Sequence, residues 1–283
     1  MNFSVFEVLK TASEKFSAAQ IDNPRLDAEI LLAHVLNCRR LSLYVDFDKV
    51  LSLESILRFN ELINRRLEGV PVAYLTGSKE FFGLKFAVNE NVLIPRPETE
   101  ILTELVGEYL RGLDREVIFA DLGTGSGAIP ISILKFVKNA HAIAVDISES
   151  ALEVAKFNAQ KFHVEDRIEF HCGDLFEPLT GKIFNAIVSN PPYIPTDDLK
   201  SLQEEVKREP QLALDGGADG LKFYRRIISD APRFLVSGGL LAVEIGINHA
   251  TAVKKLFQQA NFADVTILKD LAGIERIVLG ELH

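Results

Sequence analysis

The chain has 283 residues, with 31 basic and 40 acidic side chains and a formal net charge of −9. Hydrophobic residues make up 47% and charged residues 25%, a balance that supports a sizeable core and excludes disorder as the main state. No apolar run approaches the roughly 20 residues needed to cross a bilayer, and the acidic balance argues against a protein held to nucleic acid mainly through phosphate contacts.

The first ten residues carry no basic leader before an apolar stretch, so no secretion signal is expected. Cys38 and Cys172 stand in unrelated contexts without metal spacing, which reads as two reduced thiols in a cytoplasmic protein. The six histidines are scattered, and no metal site is expected. Residues 1–70 hold one glycine (Gly69) and one proline (Pro24), and their charge is nearly balanced; most of the negative charge falls in residues 71–283. A Gly- and Pro-poor segment followed by a Gly-rich one predicts a helical domain (1–70) joined to an α/β domain (93–283).

In the first domain, Ser4 and Glu7 have capping-box spacing and predict a helix to about Ala19. Asn23 before Pro24 predicts a second helix start, with Leu26, Ile30, Leu31 and Val35 on one face. Ser52 caps a third, which carries Ile56, Phe59, Leu62, Ile63 and Leu67 and stops at Gly69. Residues 71–92 mix aromatic and β-branched residues with Gly77, Gly83 and turn-prone Asn89–Asn91, which reads as a β-hairpin linker. Beyond it, short apolar runs (Val117–Ala120, Ala142–Val145, Ile168–Phe170, Ala186–Ser189, Leu240–Ile245) alternate with helical stretches. This is the βαβ pattern of a parallel sheet covered by helices. Two closely spaced runs, Asp264–Leu268 and Arg276–Leu279, predict an antiparallel hairpin at the sheet edge.

The first of these strands runs into Asp121-Leu122-Gly123-Thr124-Gly125-Ser126-Gly127. Glycines here let the chain turn sharply and leave no Cβ between backbone and ligand. Ligands of open α/β sheets bind beyond the carboxyl ends of the strands, where this loop sits. The next strand ends at Asp146, whose carboxylate can accept both hydroxyl hydrogens of a ribose. These parts predict a nucleoside-containing cofactor. Gly123, Gly125 and Ala128 also satisfy a relaxed dinucleotide pattern. The acidic Asp121 favours S-adenosyl-L-methionine, which carries an ammonium, over a pyrophosphate. After the third strand, Asp174 and Leu175 can accept from an adenine amino group and cover its face, or form an ordinary turn.

The fourth strand ends in Ser189-Asn190-Pro191-Pro192-Tyr193. An amide nitrogen is a poor nucleophile because its lone pair is delocalised. A loop that accepts both its hydrogens orients it and favours lone-pair character. The Asn190 side-chain oxygen is one acceptor and the Pro191 carbonyl the second. Pro191 and Pro192 stiffen the backbone, and Tyr193 offers a flat face for a planar group. Methyl transfer from a sulfonium then needs no metal and no covalent intermediate.

At this point the chain resembles the S-adenosyl-L-methionine-dependent methyltransferases of the Rossmann-like class, and more narrowly the bacterial release factor glutamine methyltransferases (the PrmC/HemK family). The narrower likeness rests on Leu26-Asp27-Ala28-Glu29, Pro71 to Gly77 with Glu80-Phe81, Leu93-Ile94-Pro95-Arg96-Pro97-Glu98-Thr99-Glu100, Glu209-Pro210, Gly216 to Leu221, and Lys269 to Gly273 with Arg276. The resemblance implies methylation of the side-chain amide nitrogen of glutamine in the Gly-Gly-Gln tip of class 1 peptide chain release factors, with S-adenosyl-L-homocysteine as the other product. It implies that Gly123 to Gly127, Asp146 and Leu175 line the cofactor, and that Asn190 to Tyr193 hold the glutamine. The helical domain would then dock the release factor. Asn248-His249 stands where the family often has Gln. Three rivals remain at this level: a DNA adenine methyltransferase, which uses the same loop on a flipped base; a nicotinamide oxidoreductase; and a non-catalytic S-adenosyl-L-methionine-binding module. The acidic catalytic half disfavours the first, and the second leaves residues 190–193 without a role.

Overall fold

The computed structural model describes residues 3–283 and divides the chain into two compact units. One comprises the residues to Gly77 together with Gln203–Arg208; the other comprises Ser78–Leu202 and Glu209–His283.

The first unit holds α1 (Val5–Ala18), α2 (Pro24–Val35), α3 (Ser42–Val45), α4 (Leu53–Leu67) and α5 (Val72–Thr76). Ser4 and Glu7 form the capping box, and Ser52 caps α4. Val5, Leu9, Phe16, Leu31, Leu32 and Phe59 share its core. Helix α2 buries more than one face: Asp27 and Glu29 lie inside, while Leu26 is exposed. Asp27 accepts from Arg66 Nε at 2.8 Å, and Arg66 reaches Glu205 at 2.8 Å. Glu29 accepts from Arg25 (2.6 Å) and from the Tyr44 hydroxyl (2.5 Å). A buried acid is tolerated only with such partners, so the acidic Leu26–Glu29 stretch is explained by internal pairing.

Two boundaries differ from the sequence reading. Residues 72–76 form helix α5, not part of a hairpin. Pro71 precedes it, Leu75 is buried in the helical core, and Gly77 at φ +65° ends it. Burial of Leu75 overrides the β preference of Val72 and Tyr74. Residues 203–208 join the first unit although they are distant in sequence.

The second unit opens with a hairpin, β1 (Ser78–Phe81) and β2 (Leu84–Ala87), then α6 (Thr99–Gly112), β3 (Val117–Leu122), α7 (Ala128–Phe136), β4 (Ala140–Asp146), α8 (Glu149–Lys161), β5 (Ile168–Cys172) and β6 (Phe184–Ser189). It continues with α9 (Lys222–Asp230), β7 (Leu235–Glu244), α10 (Ala250–Gln259), β8 (Phe262–Lys269) and β9 (Glu275–Leu282). The seven-stranded sheet has the order β5-β4-β3-β6-β7-β9-β8. The first five strands run parallel; β9 pairs antiparallel with β7, and β8 with β9. The terminal hairpin is thus present, with its second strand inserted next to β7. Strand order reverses between β3 and β6, which opens a crevice at their carboxyl ends. Ser189 Oγ donates to the Leu122 carbonyl at 2.7 Å and ties those two ends together. No described helix is long and apolar enough to cross a membrane.

Candidate active site

A cavity of about 240 Å³ lies at this crevice, in the second unit. Gly123, Gly125, Asp146, Asp174, Leu175, Asn190, Pro191 and Pro192 line it, so four separate loops meet there. Asp121, Thr124, Ser126, Gly127 and Tyr193 are not among its lining residues.

Gly123 and Gly125 have φ +76° and +54°, and a Cβ on either would meet nothing within 4 Å. Their backbone therefore faces open space that a ligand can enter. Gly127 is different: a Cβ there would come within 2.8 Å of Ile131 Cδ1 and 3.2 Å of Ala155 Cβ. It allows the loop to pack on α8. Asn158 of α8 is fully buried; its Nδ2 donates to the carbonyls of Ser126 and Ala87, and its Oδ1 accepts from Ala87 N. The hairpin and the glycine loop are thereby held to one helix.

Asp146 accepts from Gly125 N (2.8 Å) and Ser148 N (2.9 Å). Each oxygen keeps a further lone pair for a ligand hydroxyl. Burial raises its pKa, opposed by those backbone donors. Asp121 is wholly inaccessible, and neither its oxygens nor the Thr124 hydroxyl has a hydrogen-bond partner of good geometry. Burial pushes Asp121 up to about 7, with Thr124 opposing and Asp146 reinforcing. When ionised, this orphaned buried carboxyl would favour a cation in the cavity through its field. Leu175, which lines the cavity, holds φ +54°, uncommon for a side chain of its kind. Asp174 is already paired with Arg226 at 2.9 Å. The assembly suits a ribose-bearing, cationic ligand.

Asn190 follows β6 at the cavity wall. Its Nδ2 donates to Thr99 Oγ1 at 3.2 Å, and Thr99 donates to Glu244 Oε2 at 2.5 Å. Thr99 stood in the sequence only as part of the 93–100 segment, without a role, and Glu244 was not singled out. Glu244 is buried, which pushes it up to about 7; the Thr99 hydrogen bond opposes this, Glu98 adds to it, and Arg276 and Arg96 oppose it. Tyr193 is not among the residues lining this cavity and is partly buried beside it. A Cβ on Gly216 would lie 2.7 Å from Tyr193 Cα, and one on Gly246 would lie 2.9 Å from its ring. Burial pushes the Tyr193 hydroxyl up to about 12.

The segment 94–100 braces this loop. Glu209, itself buried, accepts from Ile94 N (3.0 Å) and Arg96 (2.6 Å). Glu98 lies 3.5 Å from Arg276, which also binds Asp270 at 3.0 Å. Glu100 accepts from Phe82 N at 2.9 Å. Every polar side chain of this stretch therefore has a fixed partner. His249 is neutral-leaning because burial lowers its pKa, and its Nδ1 has no partner. Among the described residues, no three His, Cys, Asp or Glu side chains converge as metal ligands.

Family models match the PrmC N-terminal domain at residues 7–77 and the methyltransferase small domain at residues 98–218. The release factor glutamine methyltransferase of Geobacter sulfurreducens is 43% identical over 263 residues, covering 93% of this chain and 91% of that protein. The chain belongs to the release factor glutamine methyltransferase family. The family member of Bacillus anthracis is 41% identical and covers 99% of both chains. Among solved structures, a methyltransferase from Pyrococcus furiosus shares the fold, with a TM-score of 0.54, 18% identity, and coverage of 77% of this chain and 96% of that one. As a member of this family, the chain is a methyltransferase with a Rossmann-like catalytic domain.

Proposed function

We propose that this chain transfers the methyl group of S-adenosyl-L-methionine to the side-chain amide nitrogen of the glutamine in the Gly-Gly-Gln tip of class 1 release factors, in the cytoplasm. The observation that carries this reading is the single cavity shared by Asn190–Pro192 and the glycine loop with Asp146. The relatives at 40% identity and above carry the matching printed name. When bound, the cofactor supplies an electrophilic methyl on a cationic sulfur, with S-adenosyl-L-homocysteine as the product left behind. Gly123 and Gly125 admit it, Asp146 accepts from its ribose, and Leu175 covers the base. Asp121 favours its ammonium from behind the loop, with Thr124, Ser126 and Gly127 shaping that loop.

Asn190 Oδ1 and the Pro191 carbonyl accept the two amide hydrogens of the glutamine. This turns the nitrogen lone pair toward the methyl and excludes free rotation, so catalysis rests on orientation and on fixed dipoles. Pro192 holds the carbonyl direction. Tyr193 anchors the loop from behind. The amide proton passes to water after transfer, when the nitrogen is cationic and strongly acidic. The first unit, up to Gly77, docks the release factor, since a tripeptide tip alone offers little area. Tyr44, Val45, Leu53 and Leu57 are exposed on it, and Phe6, Phe47 and Tyr44 form a row of rings at 5.1 and 6.0 Å.

Incubation with radiolabelled S-adenosyl-L-methionine and three acceptors tests the reading: a release factor, its tip Gln→Ala variant, and duplex DNA. Label on the first alone supports it. Label on DNA alone overturns it.

A further inference from the structure

Asn190 can serve as an acceptor only if its amide points the right way. Reversed, it would present Nδ2 to the glutamine, a donor facing a donor. The backbone of a proline-bounded loop does not set this rotation; hydrogen-bond partners do. The partner on one side is Thr99 Oγ1, at 3.2 Å from Nδ2. A hydroxyl has one hydrogen, so its polarity is decided by its own other partner. That partner is Glu244 Oε2 at 2.5 Å, within the range of a charge-assisted O–H to carboxylate bond.

We propose that Thr99 and Glu244 form a positioning relay that sets the orientation of the Asn190 amide, and with it the direction in which the loop accepts the substrate amide. The proposal rests on the glutamine-methylation reading and deepens it. With Glu244 ionised, the Thr99 hydrogen goes to the carboxylate. Thr99 can then only accept from Asn190, whose Nδ2 is drawn away from the cavity and whose Oδ1 is left facing it. With Glu244 protonated, the polarity reverses. The acid donates to Thr99, the Thr99 hydrogen is free for Asn190, and Oδ1 is drawn away from the substrate. Neither Thr99 nor Glu244 lines the cavity, so both act through Asn190.

The relay is built into the fold. Thr99 begins α6, and Glu244 ends β7. The Glu244 backbone carbonyl is held by the Tyr224 hydroxyl of α9 at 2.9 Å. The groups that act on its charge are Glu98 and Arg96 from the 94–100 segment, Arg276 from β9, Tyr193 from the loop and Tyr224 from α9. His249 lies against Tyr224, with ring centroids 6.2 Å apart, and burial disfavours its charged form. The two arginines support the ionised carboxylate, while Glu98 and burial oppose it. Turnover therefore rises with pH as Glu244 ionises.

Thr99→Val removes the hydroxyl at nearly constant shape, Thr99→Ser keeps it, and Glu244→Gln removes the titration. Each is assayed for kcat and KM with a release factor, for cofactor affinity, and for its pH profile. In Thr99→Val, kcat falls about tenfold, the scale of one misdirected hydrogen bond in a preorganised site, with cofactor affinity unchanged. Thr99→Ser restores kcat, and Glu244→Gln loses the acidic limb that the parent shows. The Asn190 Nδ2 signals in 15N NMR, assigned by their loss in Asn190→Asp, report the relay without any substrate. Their protons are protected from exchange in the parent and Thr99→Ser, and exposed in Thr99→Val. Full kcat in Thr99→Val, or unchanged Nδ2 protection, overturns the relay. If the parent fails to methylate the release factor, the functional reading falls, and the NMR comparison still decides the relay.

Discussion

Asn190 and Asp146 face one cavity from two different strand ends, and the proposed reaction gives them different tasks. Asn190→Ala deletes an acceptor that matters when the substrate nitrogen gains charge. Turnover falls at least ~100-fold, the scale of losing one oriented polar group in the transition state, while calorimetric affinity for S-adenosyl-L-methionine is nearly unchanged. Asp146→Ala does the reverse: it weakens cofactor binding and releases the backbone amides of Gly125 and Ser148. Unchanged binding in Asp146→Ala would remove it from the cofactor site. At this scale, the glycine loop, Asp146 and Asn190 were legible because each is a local run at a strand end. The contact between Thr99 and Glu244 was not, because it spans 145 residues of sequence and no short motif records it. The 93–100 segment entered only as part of the family likeness; that Arg96, Glu98 and Glu100 fix its place is visible only once Glu209, Arg276 and Phe82 are placed beside them.

The loop that carries Asn190 is rigid because of what surrounds Tyr193. Ile194 N donates to the Leu214 carbonyl at 3.0 Å, and Gly216 N donates to the Ile194 carbonyl at 2.8 Å. Gly216 has no room for a side chain against the Tyr193 backbone. Gly216→Ala therefore forces that backbone to shift and destabilises the protein by about 1–3 kcal/mol, the usual penalty for overpacking. Thermal unfolding reads the stability loss, and kcat falls with it because the loop is displaced. An unchanged Tm and kcat would show that Tyr193 can yield. The parallel strands were legible from their apolar runs, since strands buried on both faces need continuous Val, Ile and Ala. The hairpin start was misplaced because Val72, Tyr74 and Thr76 favour strands locally, whereas Leu75 finds its burial in a helical turn. The terminal hairpin was visible as two runs, but nothing local fixes which strand pairs with β7.

At the scale of the molecule, two buried carboxyls shape stability. Asp121 and Glu244 are both pushed up to about 7 by burial. The folded state then keeps protons that the unfolded chain, with ordinary carboxyl values near 4, has already lost. Stability from these groups is greatest below about pH 4 and falls as pH rises toward 7. Asp219, held down to about 2 by Arg225, acts in the acid range instead. Thermal melts between pH 5 and 8 isolate the first effect, and a double variant with Asp121→Asn and Glu244→Gln shows a flatter slope. An equal slope in both proteins would contradict the assignment. Glycine content changes near residue 70, but the placement of residues 203–208 in the helical unit, where Glu205 meets Arg66, is a contact no composition reveals. The proposal that this unit docks the release factor predicts that Val45→Asp with Leu57→Asp raises KM for an intact release factor and leaves kcat for it unchanged. A KM equal to the parent's would place docking elsewhere. The central claim is that the acceptor is a glutamine amide on a protein. Peptide mapping by mass spectrometry of a release factor treated with this protein and S-adenosyl-L-methionine tests it most directly. The account predicts one added methyl, on the side-chain nitrogen of the Gly-Gly-Gln glutamine, absent when Asn190→Ala replaces the parent. A methyl found on any other residue, or none while duplex DNA is methylated, would contradict it.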